Sequence, residues 1–283
     1  MNWKQKLALR YIRARLHILT LVSPQKAAKK AFALFCTPMR RTGKKFPLQD
    51  GCEKLSFTLH GHTIRGHRWL PGPSKALHKK VLITHGFESN TRNFEHYIKA
   101  LQKKGYEVLA FDAPAHGQSD GKRITLPLYV DMIRSIIDRY GPVDSFMGHS
   151  LGALALSLYL ASAPHDAHSR LVLIAPVVEA SYAVDAFFQL LELNDEVRAA
   201  FEAYELSLFN QPFSWFSLQR ALKNIKAPVL YIQDEDDTIT PLKNALAVKA
   251  TAHPHMSFII TKGLGHRKIY RDKEVSRQVV AFL

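Results

Sequence analysis

Val143-Asp144-Ser145-Phe146-Met147-Gly148-His149-Ser150-Leu151-Gly152 carries a short apolar run into the pattern G-x-S-x-G, and a longer apolar run follows over residues 153–161. The spacing predicts a strand, a sharp turn at Ser150 and a helix. A turn this tight passes close to neighbouring strands and holds its serine in strained φ/ψ, so the residues two positions either side must lack bulk. Gly148 and Gly152 meet that demand.

Outward from this turn, strand and helix patterns alternate. Apolar strands are expected over 81–85, 107–112, 143–148 and 171–175, separated by helices over 93–104, 126–140 and 151–161. Upstream, strands over 55–59 and 63–69 flank a hairpin-like turn, His60-Gly61-His62. Downstream, the alternation resumes with a strand over 228–232, a helix over 241–249, a strand over 256–261 and a last helix from Lys273. Strands apolar throughout their length, joined by helices, predict an α/β fold: a mostly parallel sheet covered on both faces. Residues 177–227 interrupt the repeat with short helices rich in Phe, Leu and Ala, and an insertion at this point is expected to form a helical cap. The expected division is a helical extension over 1–49 and one α/β domain over 50–283, with 177–227 as its cap.

The net charge of +15 belongs to the extension. Twelve of the 39 Lys and Arg residues precede the first acid, Asp50, which leaves 27 basic against 24 acidic residues in the rest. Lys6, Arg10, Arg13 and His17 fall on one helical stripe, with Trp3, Leu7, Tyr11, Ile18 and Val22 on the opposite side, although Lys4 and Arg15 project into the apolar arc. Ser23-Pro24 supplies a cap and a first-turn proline for a second helix to about Cys36, and a Gly/Lys/Pro connection follows over 42–47. Two readings stand for residues 1–22: apolar faces packed on the body with charge to water, or a peripheral membrane or partner contact. The basic residues lack a nucleic-acid reading motif, so no nucleic acid is expected.

At 283 residues with 47% hydrophobic content, the chain can bury a sizeable core. Cys36 and Cys52 are the only cysteines and lie far apart, which argues against a disulfide framework or zinc site and for a reducing, cytoplasmic compartment. The apolar stretch 16–22 has no cleavage signal after it and is expected to be retained. No run approaches the roughly 18 apolar residues of a membrane span.

A serine hydroxyl is a poor nucleophile at neutral pH and needs a histidine to take its proton and an acid to orient that histidine. His266 follows the strand at 256–261 on a glycine-bearing loop, Gly263-Leu264-Gly265-His266. An acidic run, Asp234-Glu235-Asp236-Asp237, follows the strand at 228–232. Serine, acid and histidine thus come in that order, each at the C-terminal end of a predicted strand, where open α/β sheets bind ligands.

With His85-Gly86-Phe87 after one strand and Asp112-Ala113-Pro114-Ala115-His116-Gly117-Gln118-Ser119 after the next, residues 53–283 resemble the α/β-hydrolase superfamily. The resemblance implies Ser150 as nucleophile, His266 as general base and acid, Asp237 as the acid, and the backbone N–H groups of Leu151 and Phe87 as the oxyanion hole. The family's common glycine is Asp234 here, and Asp236 remains the alternative acid. His116 is expected to shape its turn and His149 to pack or line the pocket. His60, His62 and His67 have no companion ligands, so neither a metal nor another cofactor is expected. Tyr182, Phe187, Phe188, Phe201, Phe209, Phe213, Trp215 and Phe216 are expected in the cap's own core or along an acyl pocket. The implied activity is hydrolysis of a small-molecule carboxylic ester or thioester through an acyl-enzyme. The alternatives are an amidase, peptidase or C–C bond hydrolase with the same triad, and a non-catalytic binding protein on this fold.

Overall fold

The computed structural model describes residues 3–39, 52–72, 76–251 and 253–283. The expected connection over 42–47 lies outside them. The chain folds as two compact units: Met1–Thr37 with Glu179–Ser217, and Pro38–Val178 with Leu218–Leu283.

The larger unit is built on one eight-stranded sheet. Its strands are β1 (Cys52–Leu59), β2 (His62–Trp69), β3 (Lys80–Thr84), β4 (Glu107–Phe111), β5 (Ser145–His149), β6 (Arg170–Ile174), β7 (Val229–Asp234) and β8 (Met256–Thr261). They lie in the order β1-β2-β4-β3-β5-β6-β7-β8. β1, β2 and β4 pair antiparallel, and every pairing from β4 to β8 is parallel. Successive side chains in a strand point to opposite faces, and the central strands are buried on both. Val81, Ile83, Val108, Ala110, Met147, Val172 and Ile174 share one apolar core. Ile98 and Leu101 of the helix Glu95–Lys104 and Val275 and Val279 of the helix Lys273–Phe282 join it. The helices Leu126–Tyr140 and Leu151–Leu160 pack against each other. The first starts as its sequence dictates, with Thr125 accepting from the Leu128 N–H and proline in the first turn.

The smaller unit is helical. It holds α1 (Trp3–Val22), α2 (Pro24–Phe35), α3 (Ala180–Leu191) and α4 (Asp195–Phe209). Its core joins Leu16, Ala27, Ala28, Ala31 and Phe32 from the first two helices to Val184, Phe188, Val197 and Phe201 from the last two. The boundaries therefore differ from those expected at 49 and at 177–227. The described residues up to Thr37 share one core with 179–217, whereas residues 218–227 belong with the sheet. Most of the insertion's aromatics serve this core: Phe187, Phe188, Phe201, Phe209 and Phe213 pack in it, while Tyr182 and Trp215 are exposed.

α1 is turned the other way from its amphipathic pattern. Leu9, Ile12, Leu16 and Leu19 face the helical core, and Trp3, Leu7, Tyr11, Ile18 and Val22 are exposed. The cause lies at the end of α3, whose last carbonyls need donors. Arg13 donates through Nε and Nη2 to the Leu190 carbonyl at 2.9 and 2.7 Å. His17 Nε2–H reaches the Leu191 and Glu192 carbonyls at 3.3 and 3.0 Å. These bonds draw half of the basic stripe inward.

Candidate active site

The turn at Ser150 has the geometry its glycines imply. Ser150 sits at φ 53° and ψ −121° between β5 and the helix Leu151–Leu160. A Cβ on Gly148 would lie 2.5 Å from Ala153 Cα, and one on Gly152 would lie 2.5 Å from the His85 carbonyl oxygen. Both are backbone clashes that no rotamer relieves, so the close packing of helix, turn and β3 requires glycine at both positions.

His266 and Asp237 reach this serine from the loops after β8 and β7. His266 Nε2 lies 3.0 Å from Ser150 Oγ, and its Nδ1 lies 2.8 Å from Asp237 Oδ2. Nδ1–H donating to the carboxylate leaves Nε2 free to accept the serine's proton. Asp237 is buried. Burial opposes its ionisation, but the hydrogen bond and charge of His266 and the bonds from Thr240 outweigh it and hold the carboxyl down at about 2. Asp236, the alternative acid, is exposed, and its carboxylate accepts the Gly263 N–H at 2.9 Å.

Sequence reasoning missed the residues that hold these groups in place. Thr240 donates Oγ1–H to Asp237 Oδ2 at 2.7 Å, and its own N–H meets Asp237 Oδ1 at 2.9 Å. Gln233 Nε2–H donates to Asp237 Oδ2 at 3.2 Å and to the Thr240 carbonyl at 2.7 Å. The signal was Asp237-Thr238-Ile239-Thr240, an aspartate followed at short range by N–H and O–H donors, as in turns that aspartate side chains nucleate. Asp234, where the family has glycine, is buried and accepts from the N–H groups of Asp236, Leu264 and Gly265 and from Thr261 Oγ1. It ties the histidine loop to the end of β7.

Three further histidines are buried around the turn and kept neutral by desolvation. His149 donates Nε2–H to the His266 carbonyl at 3.0 Å, so it packs beside the site and also anchors the backbone of His266. Burial, with the nearby His266, pushes it down to about 3. His85 donates Nδ1–H to the Gly86 carbonyl at 2.8 Å and accepts the Ala113 N–H at 2.9 Å. His116 donates Nδ1–H to the Pro114 carbonyl at 2.9 Å and accepts the Glu88 N–H at 3.1 Å. Burial holds both at about 4. His116 therefore shapes its own turn and also fixes the loop 86–88. Neither the Phe87 nor the Leu151 N–H donates to a protein acceptor among the described residues. Of the hairpin histidines, His60 pairs with Asp131 and His67 lies against Trp69.

Comparisons with known proteins agree with this architecture. A family model described as serine aminopeptidase, S33, matches residues 75–202. A putative esterase/lipase of Mycoplasma pneumoniae is 25% identical over 231 residues, which cover 70% of this chain and 85% of that protein. Rat monoglyceride lipase is 28% identical over 152 residues, 50% of this chain, and the match spans only 48% of the lipase's own length. A Pyrococcus furiosus esterase structure superposes with a TM-score of 0.62 at 21% identity, covering 88% of this chain and 97% of that one. The chain has the α/β-hydrolase fold, and its residues 75–202 match the serine aminopeptidase, S33, model.

Proposed function

We propose that the protein is an esterase/lipase-like serine hydrolase acting through an acyl-enzyme, with Ser150 as nucleophile, His266 as general base and acid, and Asp237 as orienting acid. The observation that carries this reading is the unbroken hydrogen-bonded chain from Ser150 Oγ through both nitrogens of His266 to Asp237 Oδ2. Ser150 Oγ attacks the acyl carbon while His266 Nε2 takes the hydroxyl proton, and the charge that develops on the carbonyl oxygen is met by the N–H groups of Phe87 and Leu151. His266 then returns the proton to the leaving alcohol or thiol. A water, deprotonated by the same nitrogen, releases the acid and restores Ser150.

The relatives named esterase or lipase support a small-molecule carboxylic ester or thioester as substrate. A peptidase reading has one observation in its favour, the description of the matching family model. Turnover of p-nitrophenyl esters of increasing chain length, set beside aminoacyl p-nitroanilides, separates the two. Ester hydrolysis with negligible anilide cleavage is expected, and the reverse preference would replace the esterase reading. The use of only two cysteines, Cys36 and Cys52, with no metal-ligand spacing supports a reducing, cytoplasmic setting. The wholly basic segment 1–22 supports peripheral contact with the negatively charged inner membrane surface.

A further inference from the structure

α1 has two apolar rows where a packed surface helix needs one. Leu9, Ile12, Leu16 and Leu19 satisfy the helical core. A second row, Trp3, Leu7, Tyr11, Ile18, Leu21 and Val22, runs the length of the helix on the exposed side, with exposures from 60% at Leu7 to 89% at Leu21. A helix that only packed would put charge there. Cations accompany the row instead: Arg15 projects toward it, its guanidinium 5.7 Å from the centre of the Tyr11 ring, and Lys6 and Arg10 lie exposed on the neighbouring stripe. The helix has no acidic residue, and the chain has none before Asp50.

We propose that this exposed row of α1 inserts into the interface of an anionic phospholipid bilayer, with the helix lying in the plane of the surface. The inference rests on the reading of residues 1–22 as a membrane-contact segment and specifies the face and the force. Long cationic side chains beside an apolar row can keep their charges at the headgroups while their stems lie on the acyl boundary. Trp3 and Tyr11 are the aromatic types favoured at that depth. Charge chooses the occupant: phosphatidylglycerol or phosphatidylserine headgroups match an acid-free helix, and about 30 Å of helix presents the row as one continuous strip. Among the described residues no helix is long and apolar enough to cross a membrane, so the contact is peripheral.

The test uses the full chain, sedimented with phosphatidylcholine vesicles with and without phosphatidylglycerol. Leu7→Gln/Ile18→Gln removes apolar area without altering charge, and Lys6→Gln/Arg10→Gln removes charge without altering the row. Unchanged circular dichroism and unchanged turnover of a soluble ester show that each variant folds. The parent is expected to bind the anionic vesicles. Each double variant should bind about tenfold more weakly or worse, as loss of two inserted side chains or two surface charges requires. Parental binding by Leu7→Gln/Ile18→Gln, with loss only in Lys6→Gln/Arg10→Gln, would overturn insertion while leaving electrostatic contact standing. No vesicle binding by the parent would overturn both. A dimer that Leu7→Gln/Ile18→Gln dissociates, without vesicle binding, would assign the row to a second copy of the chain.

Discussion

Asp234, Asp236 and Asp237 are one residue type within four positions, and their surroundings give them three tasks. Asp237 is buried against His266, Asp236 holds the exposed Gly263 N–H, and Asp234 gathers the N–H groups of the histidine loop. Asp237→Asn cannot accept the Nδ1–H in the same way and is expected to lower kcat by roughly a thousandfold or more, whereas Asp236→Asn should cost less than about tenfold. Steady-state kinetics of both variants on one ester check this, and the opposite order would make Asp236 the acid. Asp234→Ala strands three N–H groups, two of them in the histidine loop, and should destabilise the protein by about 2–4 kcal/mol, read from urea midpoints, and lower kcat through a displaced His266. An unchanged midpoint would refute the anchoring role. The sequence pattern alone left Asp237 and Asp236 open, because a run of like residues does not reveal which one turns inward. It offered Asp234 only as a departure from the family.

Elements were legible where one period dominated. The helix over 126–140 and the strand over 256–261 lie where their patterns put them, and the turn at Ser150 follows from two glycines that backbone approach makes obligatory. Of the two readings of α1, the one that packs the side bearing Trp3, Leu7, Tyr11, Ile18 and Val22 on the body fails for a physical reason. With apolar rows on two sides, periodicity cannot choose the buried one, and the choice fell to Arg13 and His17 capping the end of α3. α4 holds another feature that periodicity hides. Glu205 follows Val197 and Phe201 along its buried row, and neither carboxylate oxygen has a hydrogen-bond partner among the described residues. Burial, with Glu202 nearby, pushes this carboxyl up to about 7. The unfolded chain ionises it near 4.5 and the folded chain only near 7, so the stability it lends at low pH is lost as pH rises between those values. Glu205→Gln should therefore be more stable than the parent at about pH 8, by roughly 1–3 kcal/mol, and gain little below about pH 4.5. Denaturation midpoints across that range test the sign.

Across the whole molecule, the sheet was readable because its chemistry is local to strand ends. Ser150, Asp237 and His266 are 116 residues apart at the widest, yet each follows a parallel strand, and β5, β6, β7 and β8 are consecutive in the sheet. The partnership of residues up to Thr37 with 179–217 was not readable, since a shared core between segments so distant leaves no trace in either one's periodicity. Many activities occur on this fold, so hydrolysis depends on Ser150 being reactive. Fluorophosphonate labelling of the folded protein, followed by intact mass, tests that most directly. One covalent adduct on the parent and none on Ser150→Ala is the predicted result; a folded parent that takes no adduct, or an adduct that persists in Ser150→Ala, would contradict it.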